Sequence, residues 1–234
     1  MKRHYRTYQY GFTLIELLIY MAVSSVLTAS MYQMFYTQQK SYIAQNHVAE
    51  MQQNLRSGMY LMTKDLRSVG YDPTRRASPG FVTAFPSPND LFVINYATSR
   101  DIIAFTTDTD GSGTTEASNL ERIGYRLNAA NRTLERFNAA NVLPGKDWEA
   151  VVDNVDAVNF VYLKQDGTLA TQADEIRAVE IALLVRARHP DSKFINTTTY
   201  RNKRGTILCA ACTGDHYHRR LLTTTVQARN LRDS

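Results

Sequence analysis

The chain has 234 residues, of which 44% are hydrophobic and 21% charged. Those proportions exclude a disordered polymer, and the length suits one ordinary domain with an appendage. Net charge is +5 from 27 basic and 22 acidic residues, but Lys2, Arg3 and Arg6 precede Gly11; without these three the balance is 24 against 22. The basic character is therefore partly an N-terminal feature and argues little for nucleic acid. Two cysteines, Cys209 and Cys212, are too few for a disulfide framework.

The first element is apolar. "YGFTLIELLIYMAV" spans Tyr10 to Val23, and the 23 positions from Leu17 to Gln39 carry no charge. That length spans a hydrocarbon core of roughly 30 Å as a helix. Ser24, Ser25, Thr28, Ser30 and Gln33 interrupt it with the small and polar residues that suit close helix packing in lipid. The basic residues before it predict a cytoplasmic N-terminus and an outward-facing remainder. Three processing states compete: a cleaved signal peptide cut near Thr28-Ala29-Ser30, a plain anchor, and a cut after Gly11 that retains the helix.

Glu16 discriminates among them. A carboxylate opposes insertion by about 2.5–3.5 kcal/mol when central in a membrane helix, and the first two states have no use for it. A cut after Gly11 creates an α-amine on Phe12, a cation at the same membrane depth. The amine can meet Glu16 within one helix at i, i+4 spacing, or the Glu16 of a staggered neighbour. Buried charges are best attested in such a registry role.

"GFTLIE", with a short basic leader before it and an apolar helix after it, resembles the prepilin motif of type IV pilins and pseudopilins. The resemblance implies cleavage between Gly11 and Phe12 by a membrane prepilin peptidase and N-methylation of Phe12. It implies a single-pass protein of the bacterial inner membrane with its head in the periplasm, drawn later into an extracellular pilus among other pilins and minor pilins.

No Gly or Pro occurs from Phe12 to Ser57, and Val48, Met51, Leu55, Met59, Met62, Leu66 and Val69 recur at steps of three and four. This predicts one helix from Phe12 to Val69 with a buried face in its second half, ended by Gly70 and Pro73. Beyond Pro73 the period falls to two. Candidate strands are 91–97, 102–107, 122–127, 133–137, 157–164, 176–187 and 220–229, separated by "SPND", "DTDGSG", "NAAN", "LPGK" and "QDG". Asp166-Gly167 reads as a hairpin turn. The expected fold class is α+β and pilin-like: a long N-terminal helix packed on a mainly antiparallel β-sheet head. The expected segments are a leader (1–11), a membrane or filament-core helix (12–36), its amphipathic continuation (37–70) and a β-rich head (71–234).

The segments "SYIAQNHVAEMQQNLRSGMYLMTKDLRSVGYDP", "LERIGYRLNAANRTLER", "DEIRAVEIALLVRAR" and "RRLLTTTVQARNLR" resemble PilW-type minor pilins. That resemblance implies a low-abundance component that primes pilus assembly, at or near the tip. The GspJ pseudopilins of type II secretion are similar and form the alternative. Residues 190–215 carry no such likeness.

Further motifs are weighed against plain structural roles. Asp108, Asp110 and Ser112 alternate as in a calcium loop, with Glu116 at its ninth position. The twelfth is Asn119 where a bidentate acid is needed, and Glu121 is out of step; a Gly- and Asp-rich turn is the preferred reading. Cys209 and Cys212 read as a disulfide on the oxidising side of the membrane, with free thiols and a zinc set including His216 and His218 as the other readings. From Arg186 to Arg220, eight basic residues face Asp191 and Asp215. This stretch is read as a solvated face, with contact to DNA, anionic lipid or an acidic pilin as the alternative. No phosphate loop, GxSxG or HExxH is present, and neither an enzyme activity nor a cofactor is expected.

Overall fold

The structure is a computed structural model that describes residues 11–87, 90–115, 121–137 and 148–231, with the backbone alone for 85–87 and 90–92. The leader through Tyr10, Glu116 and the "LPGK" turn lie outside the described residues. One helix, α1 (Leu14–Arg67), is followed by β1 (Ala84–Ser87), β2 (Asp90–Val93), β3 (Ile102–Thr106), β4 (Arg122–Asn128), β5 (Thr133–Phe137), β6 (Trp148–Asp153), β7 (Val155–Leu163), β8 (Ala178–Arg186) and β9 (Arg219–Gln227). The chain divides into two compact units, Met1–Asn46 and His47–Ser234.

The first unit is helical and exposes its apolar side chains, from Phe12 to Ile43. Four of its hydroxyls fold back onto the helix. Ser25 donates to the Ala22 carbonyl at 2.7 Å, Thr28 to Ser24 at 2.8 Å, Ser30 to Val26 at 2.9 Å and Thr37 to Gln33 at 2.9 Å. These four hydroxyls are satisfied within their own helix, which lowers the polarity that its Ser and Thr content would otherwise present.

The second unit is built on the heptad-like stripe. Met51, Leu55, Met59, Met62, Leu66 and Val69 are all buried, with Val48 packed beside them. The helix stops where expected. Gly70 takes φ 76°, and the Asn230 amide donates to the Arg67 and Val69 carbonyls at 3.0 and 3.2 Å, serving groups the helix leaves unpaired. Asp65, on the same face, accepts from the Tyr125 hydroxyl at 2.6 Å and from Arg136 Nε at 2.8 Å. Burial, and then the Asp65 charge, push the Tyr125 phenol well above its ordinary range, so it stays a donor.

Among the described residues the strands form three antiparallel sheets: β1-β2, β3-β4-β5-β6 and β7-β8-β9. The last is covered on both faces. Val158, Phe160, Ile181, Leu183 and Val226 join the cluster containing the helix stripe, whereas Ala157, Leu184, Cys212 and Tyr200 form a second cluster. Alternation along a strand sends neighbours to opposite faces, and a strand covered twice reads as a continuous apolar run. That is why β7 is buried along almost its whole length.

Two strands escape the period-two pattern. β6, "WEAVVD", has one fully buried position, and β1 contains Pro86. The strand expected over 91–97 ends at Val93, because Asn95 opens a turn. Its carbonyl accepts from Thr98 and Ser99 N–H at 3.0 and 2.6 Å, and its side chain from Ala97 N–H at 3.0 Å.

Gly58 sits where α1 meets β6. A Cβ there would overlap Val152 Cγ2. Gly58→Ala would gain about 1 kcal/mol of helix propensity, but overpacking costs about 1–3 kcal/mol, and the second term wins because Val152 is itself buried. Urea unfolding of the full chain in detergent should show Gly58→Ala destabilised and Gly58→Ala/Val152→Ala less so than the sum of the single variants.

Candidate functional site

The N-terminal edge of α1 brings Gly11, Phe12 and Glu16 together. Thr13 opens the helix: its Oγ1 accepts the Glu16 N–H at 3.3 Å and its carbonyl the Leu17 N–H at 3.1 Å, an N-cap arrangement. Glu16 therefore lies in the first turn, where the helix dipole favours an anion. The Tyr20 hydroxyl donates to its carboxylate at 3.5 Å, and the Phe12 and Tyr20 rings meet edge to face at 6.2 Å. A Cβ on Gly11 would meet nothing within 4 Å. The helix that follows is the one described segment long and apolar enough to cross a membrane, by length and composition.

The unassigned segment 190–215 folds over the outer face of β7-β8-β9, pinned by a buried ionic centre that sequence reasoning missed. Asp156 receives Arg219 Nε at 2.6 Å and Arg132 Nη1 at 2.8 Å, with Arg186 Nε at 3.9 Å. Arg219 forks onto Asp215 through both Nη atoms at 2.6 Å and donates to the Cys212 carbonyl at 3.1 Å. The side chains of Arg219 and Asp156 are 2% and 3% exposed. The bond from Arg219 holds the Asp215 carboxyl below its ordinary range. The visible signal was a lone acid between Val155 and Ala157 in a strand whose other residues, Asn159 apart, are apolar or aromatic.

Cys209 and Cys212 are disulfide-bonded across the short 3-10 turn Ala210–Cys212. His216 Nδ1 contacts the Phe194 carbonyl, and His218 reaches Asp191 at 3.2 Å while stacking on Phe194. These four side chains therefore do not form the zinc set considered above. Of the eight basic residues between Arg186 and Arg220, Arg186 and Arg219 sit around Asp156, Arg204 faces Glu180 at 3.5 Å, and Arg201 donates to the Gly205 carbonyl.

The acidic loop differs from its expected ligand pattern as well. Carboxylate oxygens of Asp108, Asp110 and Glu121 lie within 4.8 Å of one another, with Asp108 and Glu121 fully buried. Counting along a loop put Glu121 out of step, but the antiparallel register pairing Thr106 with Arg122 returns it to the same place. Ser112 is turned into the loop itself, its N–H donating to Asp110 at 2.8 Å. Asp108 accepts from the Gly111 and Gly113 N–H groups at 2.8 and 3.0 Å, and Glu121 from Thr109 N–H at 2.9 Å. Three hard oxygen donors are a set that calcium can take; the backbone amides also satisfy the two buried carboxylates without one.

Two family models match. The prokaryotic N-terminal methylation motif covers residues 6–32, which places the processing segment in the pilin class. Prepilin peptidase-dependent protein B covers residues 44–205, and the chain belongs to that family. The solved type IV-like pilin TTHA1219 from Thermus thermophilus is 17% identical, over 79% of this chain and all of that one, with a TM-score of 0.49. No curated protein matches the chain significantly in sequence. The protein is a pilin-type subunit of the type IV pilin-like class.

Proposed function

We propose that this is a PilW-like minor pilin that primes type IV pilus assembly. In this reading the apolar part of α1 holds it in the inner membrane with its head in the periplasm. Prepilin peptidase removes the segment through Gly11, Phe12 becomes the methylated N-terminus, and the subunit enters a filament with other pilins. The carrying observation is the Gly11–Phe12–Glu16 segment joined to a helix whose apolar side chains are exposed and whose Ser25, Thr28, Ser30 and Thr37 hydroxyls fold back onto it. A GspJ-like place in secretion would use the same segment. The basic C-terminal stretch gives little support to DNA binding, since Arg219 and Arg186 are engaged by Asp156 and Asp215 inside the head.

Mass spectrometry of the protein in assembled pili tests the processing step. The expected N-terminus is methylated Phe12. An intact Met1, or a start near Met31 as signal-peptide cleavage would leave, would overturn the proposal.

A further inference from the structure

We propose that β9 is a docking edge that takes an extended, acidic-ended β-strand of another protein. β9 ends the sheet β7-β8-β9 and pairs with β8 alone. Its register fixes which backbone groups face outward. The Ala187 N–H donates to the His218 carbonyl at 2.8 Å and the Ala228 N–H to the Arg177 carbonyl at 2.9 Å. Both pairs continue the register that sets Val185 opposite Arg220. In an antiparallel ladder, directly bonded pairs alternate with unbonded ones. Arg220, Leu222, Thr224 and Val226 therefore turn their N–H and C=O groups to β8, whereas Leu221, Thr223, Thr225 and Gln227 turn theirs away. Among the described residues no backbone group answers those four donors and four acceptors.

Such an edge is a template for strand addition unless something blunts it. Between its ends β9 has none of the usual devices. It runs for nine residues with no register shift against β8. It has no proline and no charge from Leu221 to Gln227, and Thr223, Thr224, Thr225 and Val226 are β-branched. The ends choose the occupant. Arg220 and Arg229 are exposed, and Lys203 reaches the Thr225 hydroxyl at 2.7 Å. Among the described residues no carboxylate pairs with these three cations. Arg219 is not available, because Asp156 and Asp215 hold it inside the head. Two copies pairing antiparallel would bring the Arg220 end of one edge against the Arg229 end of the other, and parallel pairing would set like ends together. Either way cations face cations, which disfavours a second copy. A strand with acids at its ends gains ion pairs as well as the ladder, so the same charges that repel a like edge select this one. In the assembly proposed above that strand belongs to a neighbouring subunit; the pairing itself does not rest on that reading.

A cyclised β-hairpin peptide, its free strand alternating Thr and Val with Glu at both ends, tests this against the full chain in detergent. Saturable binding by fluorescence anisotropy is expected. Affinity should fall at least about tenfold when the peptide's Glu residues become Lys, and likewise in the Arg220→Glu/Arg229→Glu variant; the Lys-ended hairpin should bind that variant better than the parent. Thr223→Pro removes an outward N–H and leaves the β8 ladder its bonds. It should abolish binding with a thermal midpoint close to that of the parent. Amide exchange followed by NMR needs no variant. The Leu221, Thr223, Thr225 and Gln227 amides should exchange fast in the free chain and slow with the hairpin bound, while those of Leu222 and Thr224 stay slow throughout. Absence of binding, binding that leaves the four outward amides unprotected, or a dimer of the chain alone that Thr223→Pro dissociates, would overturn the proposal.

Discussion

Arg219→Ala is expected to destabilise the globular unit by about 3 kcal/mol, the lower end of the cost of removing one partner from a buried ion pair, because Asp156 keeps Arg132 at 2.8 Å. The loss is large because one guanidinium serves three groups. It meets Asp156, which is 3% exposed, forks onto Asp215, and satisfies the Cys212 carbonyl. Asp156→Ala should cost less, because Arg219 keeps the bidentate pair with Asp215 and the Arg132 side chain, 48% exposed, returns to water. Arg219→Lys cannot reproduce the fork and should fall close to the alanine variant. Urea denaturation of the full chain in detergent orders the three.

The pH dependence gives a second readout. Asp215 has a depressed carboxyl pKa, chiefly because Arg219 donates to it. Such a group adds stability at pH values above the unfolded value of about 3.9, and that stability is lost as pH falls through the lowered folded value. Removing Arg219 removes the depression. The gap between parent and Arg219→Ala should therefore narrow below about pH 4. A gap that stayed constant through the acid limb would show that the Asp215 pair contributes nothing.

Sequence periodicity located α1 to within two residues at each end because Met51 through Val69 obey one geometric rule along one element. It located β3, β4, β5, β7, β8 and β9 because one or both of their faces are buried. β6 failed since little of it is buried, and β1 contains a proline. Residues 190–215 were opaque for a different reason. Their packing depends on Tyr200, Leu208 and the Cys209–Cys212 bridge meeting Leu184 and Leu221 across a sheet face, and on Arg219 reaching an acid 63 positions earlier. No local window contains those partners. Glu121 shows the same limit: loop counting rejected it, and strand register restored it. The N-terminal methylation motif was legible because it is linear: its match covers residues 6–32, and Gly11, Phe12 and Glu16 are set by spacing along one stretch of chain.

Glu16→Ala carries the largest expected effect on the proposed assembly role. The variant should still be cleaved after Gly11, since Gly11 and Phe12 are unchanged and Glu16 lies within the helix beyond them. Its head should unfold at the same urea concentration as the parent, because Glu16 belongs to the other compact unit. Incorporation into pili should nevertheless fall at least tenfold. Among the described residues, Tyr20 and the helix start are what offset the Glu16 charge, so in the proposed membrane location the carboxylate is costly until it meets a cation. The Phe12 amine released by cleavage supplies one, and a staggered neighbour that shares it sets the axial step between subunits. Loss of the carboxylate removes the register signal while improving membrane retention. Glu16→Gln separates the two effects: it keeps the size and the hydrogen bond but lacks the charge, and should assemble as poorly as the alanine variant. Quantifying the subunit in sheared pili against the membrane fraction measures the outcome, and normal incorporation of Glu16→Gln would exclude an ion pair as the register contact.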